Sequence, residues 1–187
     1  MKRSLLAITL VVSVMLFAFA GTASAGRGLP RRYSADAFFT ETAGCVSTFI
    51  GIYPVSGKDL KTGRVTGGTF SMQFEQFDVC TNTFLFRGGS AILTLSAEEF
   101  EMSPGLNKAS MHTSAVVCDG ISGSCLTASI DLEYKRAGAP PQVCSTNIFP
   151  DEETTFCSAV VTGTVSDGAT NFTPQPGEAV FQEHRPA

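Results

Sequence analysis

The stretch VVCDGISGSC, residues 116–125, sets two cysteines on either side of six residues rich in Gly, Ser and Asp. Such a pair forms a metal clamp, a redox centre or a disulfide that closes a β-hairpin. Structural zinc sites space their cysteines about two to four residues apart, and the chain contains no C-x-x-C redox motif. We therefore predict a disulfide between Cys118 and Cys125 across the end of a hairpin.

The flanking segments agree with this hairpin. If Cys118 lies opposite Cys125, one face of the two arms becomes a set of apolar or small pairs. These predicted buried pairs are Val117–Leu126, Ala115–Ala128, Thr113–Ile130, Met111–Leu132 and Ala109–Tyr134. The other face then carries polar pairs. Because a shift of one residue would move one arm's apolar side chains into water, the disulfide and the hydrophobic pattern predict the same register.

The rest of the chain shows the same alternation of apolar and polar residues, interrupted at short intervals by Gly, Pro, Asn and Asp. In the segment 69–80 the apolar phase shifts by one residue, which predicts a β-bulge near Glu75-Gln76. We predict an all-β fold, in which residues 37–187 form a single antiparallel β-sandwich of the jelly-roll or immunoglobulin-like type. Disulfides would staple its hairpins.

The N-terminus has the pattern of a cleaved signal peptide. A basic start is followed by an apolar run and by the small residues Ala23-Ser24-Ala25, so we expect residues 1–25 to be removed. Residues 26–36 would then form a mobile N-terminal arm. The protein is predicted to be secreted or periplasmic, in an extracytoplasmic compartment and not in the membrane after cleavage.

All six cysteines follow the predicted signal peptide, and an even number in an exported chain indicates disulfides. By the same reasoning as for the first pair, Cys144 and Cys157 would close the loop 145–156. Cys45 and Cys80 are then paired by elimination.

Charge and composition exclude some partners. The whole chain has a net charge of −4, and loss of Lys2 and Arg3 makes it more negative, so nucleic acid and anionic membrane surfaces are not expected partners. The chain has no Trp, which disfavours a sugar-binding platform. We expect a monomer with an unidentified extracytoplasmic partner.

Few residues suggest chemistry. His112 opposite Asp131, with Ser114 and Ser129 one pair along, has the residue types of a hydrolytic triad, but the open face of a hairpin supplies no pocket. We interpret His112 and Asp131 as a surface polar pair and His184 as solvated. No catalytic residue, metal or cofactor is predicted. Calcium is the alternative, at the acidic segments 98–101 and 151–153 or at Asp167 with Asn171.

The segments GCVSTFIGIY, FEQFDVCTNTFLF, ASIDLEYKRAG and GTVSDGATNFTP, which lie within residues 44–174, resemble a loose set of uncharacterised exported bacterial all-β proteins. The chain differs from that set in its Cys118/Cys125 pair and in having Tyr134 where the set has Trp. The resemblance implies an exported all-β protein and assigns no activity or catalytic residue.

Three functions remain open. The first is a non-catalytic β-sandwich module with a binding or structural role at the cell surface or in the extracellular space. The second is a secreted enzyme inhibitor that presents the loop 145–156. The third is a hydrolase that uses His112 and Asp131.

Overall fold

The computed structural model describes residues 31–59, 62–138, 144–172 and 177–186, and this part of the chain contains strands but no helix. No segment in these ranges is a helix long and apolar enough to cross a membrane. The strands are β1 (Arg32–Ala43), β2 (Val46–Gly57), β3 (Val65–Thr66), β4 (Gly68–Asp78), β5 (Thr83–Ser90), β6 (Leu93–Leu95), β7 (Phe100–Met102), β8 (Lys108–Asp119), β9 (Cys125–Arg136), β10 (Cys144–Ile148), β11 (Glu152–Ser166), β12 (Asn171–Phe172) and β13 (Gly177–Pro186).

All strands belong to one antiparallel sheet. Its longer strands pair in the order β1, β2, β4, β5, β8, β9, β11 and β13. Because β13 also pairs with β1, this series of pairings returns to its start. The all-β, antiparallel part of the prediction is confirmed. The predicted sandwich type is not confirmed, because a sandwich has two stacked sheets and the described strands form one sheet.

The predicted hairpin register is confirmed over its whole length. β8 and β9 pair from Cys118 opposite Cys125 to Lys108 opposite Lys135. The inward face carries the buried side chains that the alternation indicated, such as Met111 and Leu132, and burial of one such side chain stabilises the fold by roughly 1.5–3 kcal/mol. The core therefore lies on the inner face of the continuous sheet.

The β-bulge lies close to the predicted position but on the partner strand. Gln76 pairs with Phe86 and Phe77 pairs with Phe84, so the extra residue is Leu85 of β5 and not a residue of Glu75-Gln76. The apolar alternation of β4 predicted where the register shifts. It could not show which of the two paired strands carries the additional residue, because that depends on how they pair.

The first strand corrects the boundary of the predicted N-terminal arm. Residues 32–36 form the first half of β1, where they pair with both β13 and β2. Tyr33 and Ala35 are buried, because every second side chain of β1 points to the core from the start of the strand. The predicted signal peptide 1–25 and residues 26–30 lie outside the described residues.

The three predicted disulfides are present: Cys45–Cys80, Cys118–Cys125 and Cys144–Cys157. The first joins the β1–β2 turn to the β4–β5 turn, and the second closes the β8–β9 turn at the same end of the sheet. The third links β10 to β11 near the opposite end. Three disulfides are typical of proteins that fold in an oxidising extracytoplasmic compartment.

Candidate functional site

His112 and Asp131 meet on the outer face of the β8–β9 hairpin, as predicted. The Nδ1 atom of His112 lies 2.8 Å from Oδ1 of Asp131, and its Nε2 atom lies 3.6 Å from Oε1 of Glu133. A triad needs a hydroxyl at the second ring nitrogen. Here a second carboxylate occupies that position, and no hydrogen bond from His112 to Ser114 or Ser129 is described. The three side chains of the cluster are half exposed or more.

The prediction that His184 is solvated is wrong. His184 belongs to a polar network on the outer face of β13. Its Nδ1 atom lies 2.7 Å from Oε1 of Glu152 and 3.2 Å from the hydroxyl of Thr154, which is buried. Arg32 donates to the other oxygen of Glu152 at 2.9 Å. Burial alone would raise the pKa of Glu152, but the hydrogen bonds from His184 and Thr154 outweigh it and lower that pKa. The network joins β11 to β13 and β1.

Glu183 carries a buried charge on the opposite face of β13. The hydroxyl of Tyr33 donates to its Oε1 at 3.0 Å, and Arg185 donates to its Oε2 at 2.8 Å. Arg31 lies 3.5 Å from the same carboxylate. Desolvation would raise the pKa of Glu183, yet the hydrogen bonds from Arg185 and Tyr33 lower it. This cluster could not be predicted from local sequence patterns, because Tyr33 and Glu183 are far apart along the chain.

The predicted loop 145–156 is a β-hairpin. β10 pairs with β11 from Cys144 opposite Cys157 to Ile148 opposite Glu153. Phe149 and Glu152 exchange backbone hydrogen bonds of 2.7 and 3.4 Å around the turn. On the other side of β11, β13 pairs along the same stretch as far as Pro186 opposite Glu152. The hairpin is therefore held by a disulfide at its base and by a third strand.

The tip of this hairpin exposes apolar side chains. Ile148 is 82 % exposed and Phe149 is 50 % exposed. Val79, Leu85 and Ile121 are also exposed, at the opposite end of the sheet. There, Phe84 packs against Phe77 with ring centroids 5.0 Å apart, and the guanidinium of Arg87 covers it. The described residues provide no comparable aromatic contact for Phe149.

Asp119 organises the turn between Cys118 and Cys125. Its Oδ2 accepts the Ser122 hydroxyl at 2.5 Å and the Ser122 N–H at 2.9 Å, and its Oδ1 accepts the Arg87 N–H at 3.0 Å. The bond from the Ser122 hydroxyl, followed by the backbone donors, lowers the pKa of Asp119 to about 2. Both oxygens of the Asp119 carboxylate therefore have donors, and these bonds stabilise the turn beside the disulfide.

Carboxylates of the predicted calcium segments also have partners. Glu99 accepts from Ser96 and Thr113, and Glu101 pairs with Arg64 at 2.7 Å. Glu152 belongs to the His184 network, and Asp167 accepts the backbone N–H groups of residues 169 and 170. One group in the described ranges has three potential ligand atoms within 4.8 Å, but it includes the bonded sulfurs of Cys45 and Cys80.

Two further ionisable groups are withdrawn from water. Asp36 lies on the outer face of β1, where it is only partly exposed and accepts a hydrogen bond of 2.5 Å from the amide of Gln182. Burial raises the pKa of Asp36 to about 7. Tyr134 is fully buried on the inner face of β9, and its hydroxyl has no hydrogen-bond partner among the described residues.

Comparison with known proteins adds no assignment. No protein-family model, no curated protein and no solved structure matches the chain. The function is therefore inferred from the geometry alone.

Proposed function

We propose that the protein is a secreted or periplasmic, non-catalytic module that binds a protein partner through the β10–β11 hairpin. One observation carries the proposal: the hairpin is braced at its base, yet its tip presents Ile148 and Phe149 to solvent. Exposed apolar side chains on a rigid support are typical of protein-binding surfaces, since little conformational entropy is lost when they are covered.

The bracing of the hairpin involves both faces of the sheet. Cys144–Cys157 closes its base, and the Glu152–His184 and Glu153–Arg185 contacts join β11 to the neighbouring strand β13. Pro150 follows Phe149 directly, and the fixed backbone angle of proline suits the first central position of a tight turn. The tip is therefore presented in one backbone conformation.

A secreted enzyme inhibitor is the second candidate, because an exposed and disulfide-closed hairpin is what such an inhibitor must present. It differs from the first candidate in the class of partner, which would be a hydrolytic enzyme. Residual activity of a panel of secreted proteases and glycosidases, measured with excess protein, separates the two. Inhibition that is lost on Phe149→Asp supports the inhibitor.

The binding proposal is tested by chemical cross-linking of the tagged, processed chain to cell-envelope and extracellular fractions of its source, with mass spectrometry. Ile148→Asp should abolish the cross-link to a specific partner, because it buries a charge in the interface. The matched control is Val116→Asp, since Val116 is 55 % exposed on a different strand. A partner captured equally by wild type and Ile148→Asp contradicts the proposal.

The non-catalytic part is tested separately. A broad esterase and peptidase screen compares wild type with His112→Ala. Turnover that disappears in His112→Ala contradicts a non-catalytic module and supports the hydrolase alternative at His112 and Asp131.

A further inference from the structure

We infer that the partner is bound as an added β-strand along the outer edge of β10, by an extended segment that carries an apolar and a basic side chain. The inference rests on the proposed function and specifies how the hairpin recognises its partner. Strand addition uses main-chain hydrogen bonds for affinity and alternate side chains for specificity.

The position of β10 in the sheet provides the edge. β10 stands at one end of the strand order, and β11 is its partner among the described strands. β11 has β13 on its other side. The side of β10 that faces away from β11 is therefore a sheet edge in the described part of the chain, and four of its five residues are exposed.

The hydrogen-bond pattern shows which backbone groups face outward. Phe149 and Glu152 exchange both of their backbone bonds, so they form a hydrogen-bonded pair. Such pairs alternate with non-hydrogen-bonded pairs in an antiparallel ladder. Ser145 and Asn147 therefore bond to β11, and the N–H and C=O groups of Cys144, Thr146 and Ile148 point away from it. The Cα–Cα distance of 4.1 Å between Cys144 and Cys157 fits a non-hydrogen-bonded pair.

This edge lacks the usual protection against strand addition. Natural edge strands carry charged side chains, proline or a bulge that discourages pairing. β10 has the sequence CSTNI, and its register with β11 is continuous. No charged residue occurs anywhere between positions 137 and 150. In a chain with an excess of acidic residues, this uncharged edge is free, among the described strands, to pair with another backbone.

The side chains around the edge specify the chemistry of the occupant. Ile148 lies on the edge strand and Phe149 follows it on the opposite face, so apolar side chains at two neighbouring positions of the added strand would cover them, one on each face. Asp151 at the turn is exposed and has no ion pair or hydrogen bond with another described residue. A lysine or arginine in the added segment would pair with it. The occupant is thus an extended segment with apolar residues at two neighbouring positions and a basic residue toward one end.

A second copy of this chain fits the edge less well. Two copies of an acidic chain repel each other. The uncharged segment between positions 137 and 150 also supplies no basic residue to meet Asp151 of the other copy. Self-association is therefore an outcome of the test that would overturn the inference.

The test uses a displayed library of linear twelve-residue peptides, selected on the full processed protein. We expect enriched sequences to have apolar residues at two neighbouring positions and to include Lys or Arg. The strongest binder is then synthesised and measured by calorimetry on two variants. Thr146→Pro removes an outward N–H while leaving the backbone bonds between β10 and β11, because proline is tolerated where its nitrogen faces away from the partner strand. Like Thr146→Ala, it also loses the 3.1 Å bond between the Thr146 and Thr155 hydroxyls. Thr146→Ala is the matched control.

Thr146→Pro should weaken peptide binding by about tenfold or more, since it removes one bond and places a ring at the interface. Thr146→Ala should change the affinity by less than about twofold, because the N–H remains. Asp151→Asn should weaken binding by a few-fold, and salt should weaken the wild-type complex in the same direction. Amide exchange on the wild type provides a second measurement: the amides of residues 144, 146 and 148 should gain protection when peptide binds.

Several results would overturn the inference. They are the absence of enriched peptides, unchanged protection at residues 144, 146 and 148, equal affinity of Thr146→Pro and Thr146→Ala, or a wild-type dimer in sedimentation that Thr146→Pro dissociates. If Ile148→Asp still abolishes the cross-linked partner described above, the proposed function survives and only strand addition is wrong. If Ile148→Asp has no effect on that partner, the proposed function itself fails.

Discussion

Asp36 should make the protein less stable as the pH rises from about 4 to about 7. Its carboxyl group lies partly buried on β1, and burial raises its pKa from an ordinary 3.8 to about 7. A group whose pKa is higher in the folded state binds its proton more tightly there. Below pH 4 it is protonated in both states and has no effect. Above pH 7 it is ionised in both states, and the folded state carries the full cost of the buried charge.

The magnitude follows from the size of the pKa change. A difference of about three units corresponds to about 4 kcal/mol, because each unit is worth 1.36 kcal/mol. Asp36 is partly exposed, so we expect a smaller value of about 2–3 kcal/mol. Asp36→Asn removes the charge and keeps an oxygen that accepts from Gln182. The free energy of unfolding of Asp36→Asn should therefore exceed that of the wild type by this amount at pH 8. At pH 4 the two free energies should agree within about 1 kcal/mol.

Urea unfolding at pH 4, 5, 6, 7 and 8, followed by circular dichroism with disulfides intact, measures this difference. Comparing the variant with the wild type cancels the pH dependence of the other carboxylates. Asp131→Asn is the matched control, because Asp131 is exposed on the outer face of β9. A stability difference between Asp36→Asn and wild type that is the same at pH 4 and pH 8 would refute the reasoning, as would a titration of Asp36 by carbon NMR with a pKa near 4.

Four other variants test the stability of the fold by the same unfolding assay. Replacing both cysteines of Cys45–Cys80 by Ala should lower the free energy of unfolding by about 3.8 kcal/mol, and the same replacement at Cys118–Cys125 should lower it by about 2.4 kcal/mol. The difference arises because the sequence separations are 35 and 7. A larger loss at Cys118–Cys125 would contradict the chain-entropy explanation. Tyr134→Phe should stabilise by about 1–3 kcal/mol, since it removes a buried hydroxyl without a described partner. A loss of stability would contradict this. Glu183→Gln should destabilise by about 2 kcal/mol at pH 7 and by less as the pH falls below the ordinary pKa of 4.5, because the stability that a lowered pKa provides is lost once the native carboxylate takes up its proton. A pH-independent loss would show that charge is not the cause.

The β8–β9 hairpin could be predicted from sequence because two independent signals coincide there. The spacing of Cys118 and Cys125 and the alternation on both arms each specify one register, and they agree. The pairing of β9 with β11 could not be obtained in this way. Residues 137–143 and the whole of β10 lie between these two strands along the chain. Alternation shows which face of a strand is buried but not which strand lies beside it.

The polar clusters were missed for a related reason. Glu183 and His184 are adjacent in sequence, yet they lie on opposite faces of β13 and meet different partners. Their partners come from β1 and β11, so only the tertiary pairing brings these residues together. A run such as EHRP near the end of a chain resembles a solvated tail, and nothing in its local pattern distinguishes a tail from a strand with ionic contacts on both faces.

These two clusters also support the proposal that the β10–β11 hairpin, the predicted loop 145–156, is a recognition edge. A free disulfide-closed loop would lose conformational entropy on binding, which lowers affinity. Here Tyr33 of β1 donates to Glu183 on the inner face of β13, and His184 on the outer face of β13 contacts Glu152 of β11, so β11 is held along the same stretch that supports β10. The backbone groups of Thr146 and its neighbours are therefore aligned before any partner arrives. If this preorganisation matters, Glu183→Gln should weaken peptide binding at β10 although Glu183 faces the core, whereas Asp131→Asn should leave it unchanged. Equal binding by both variants would mean that the hairpin is ordered by its own disulfide and ladder alone.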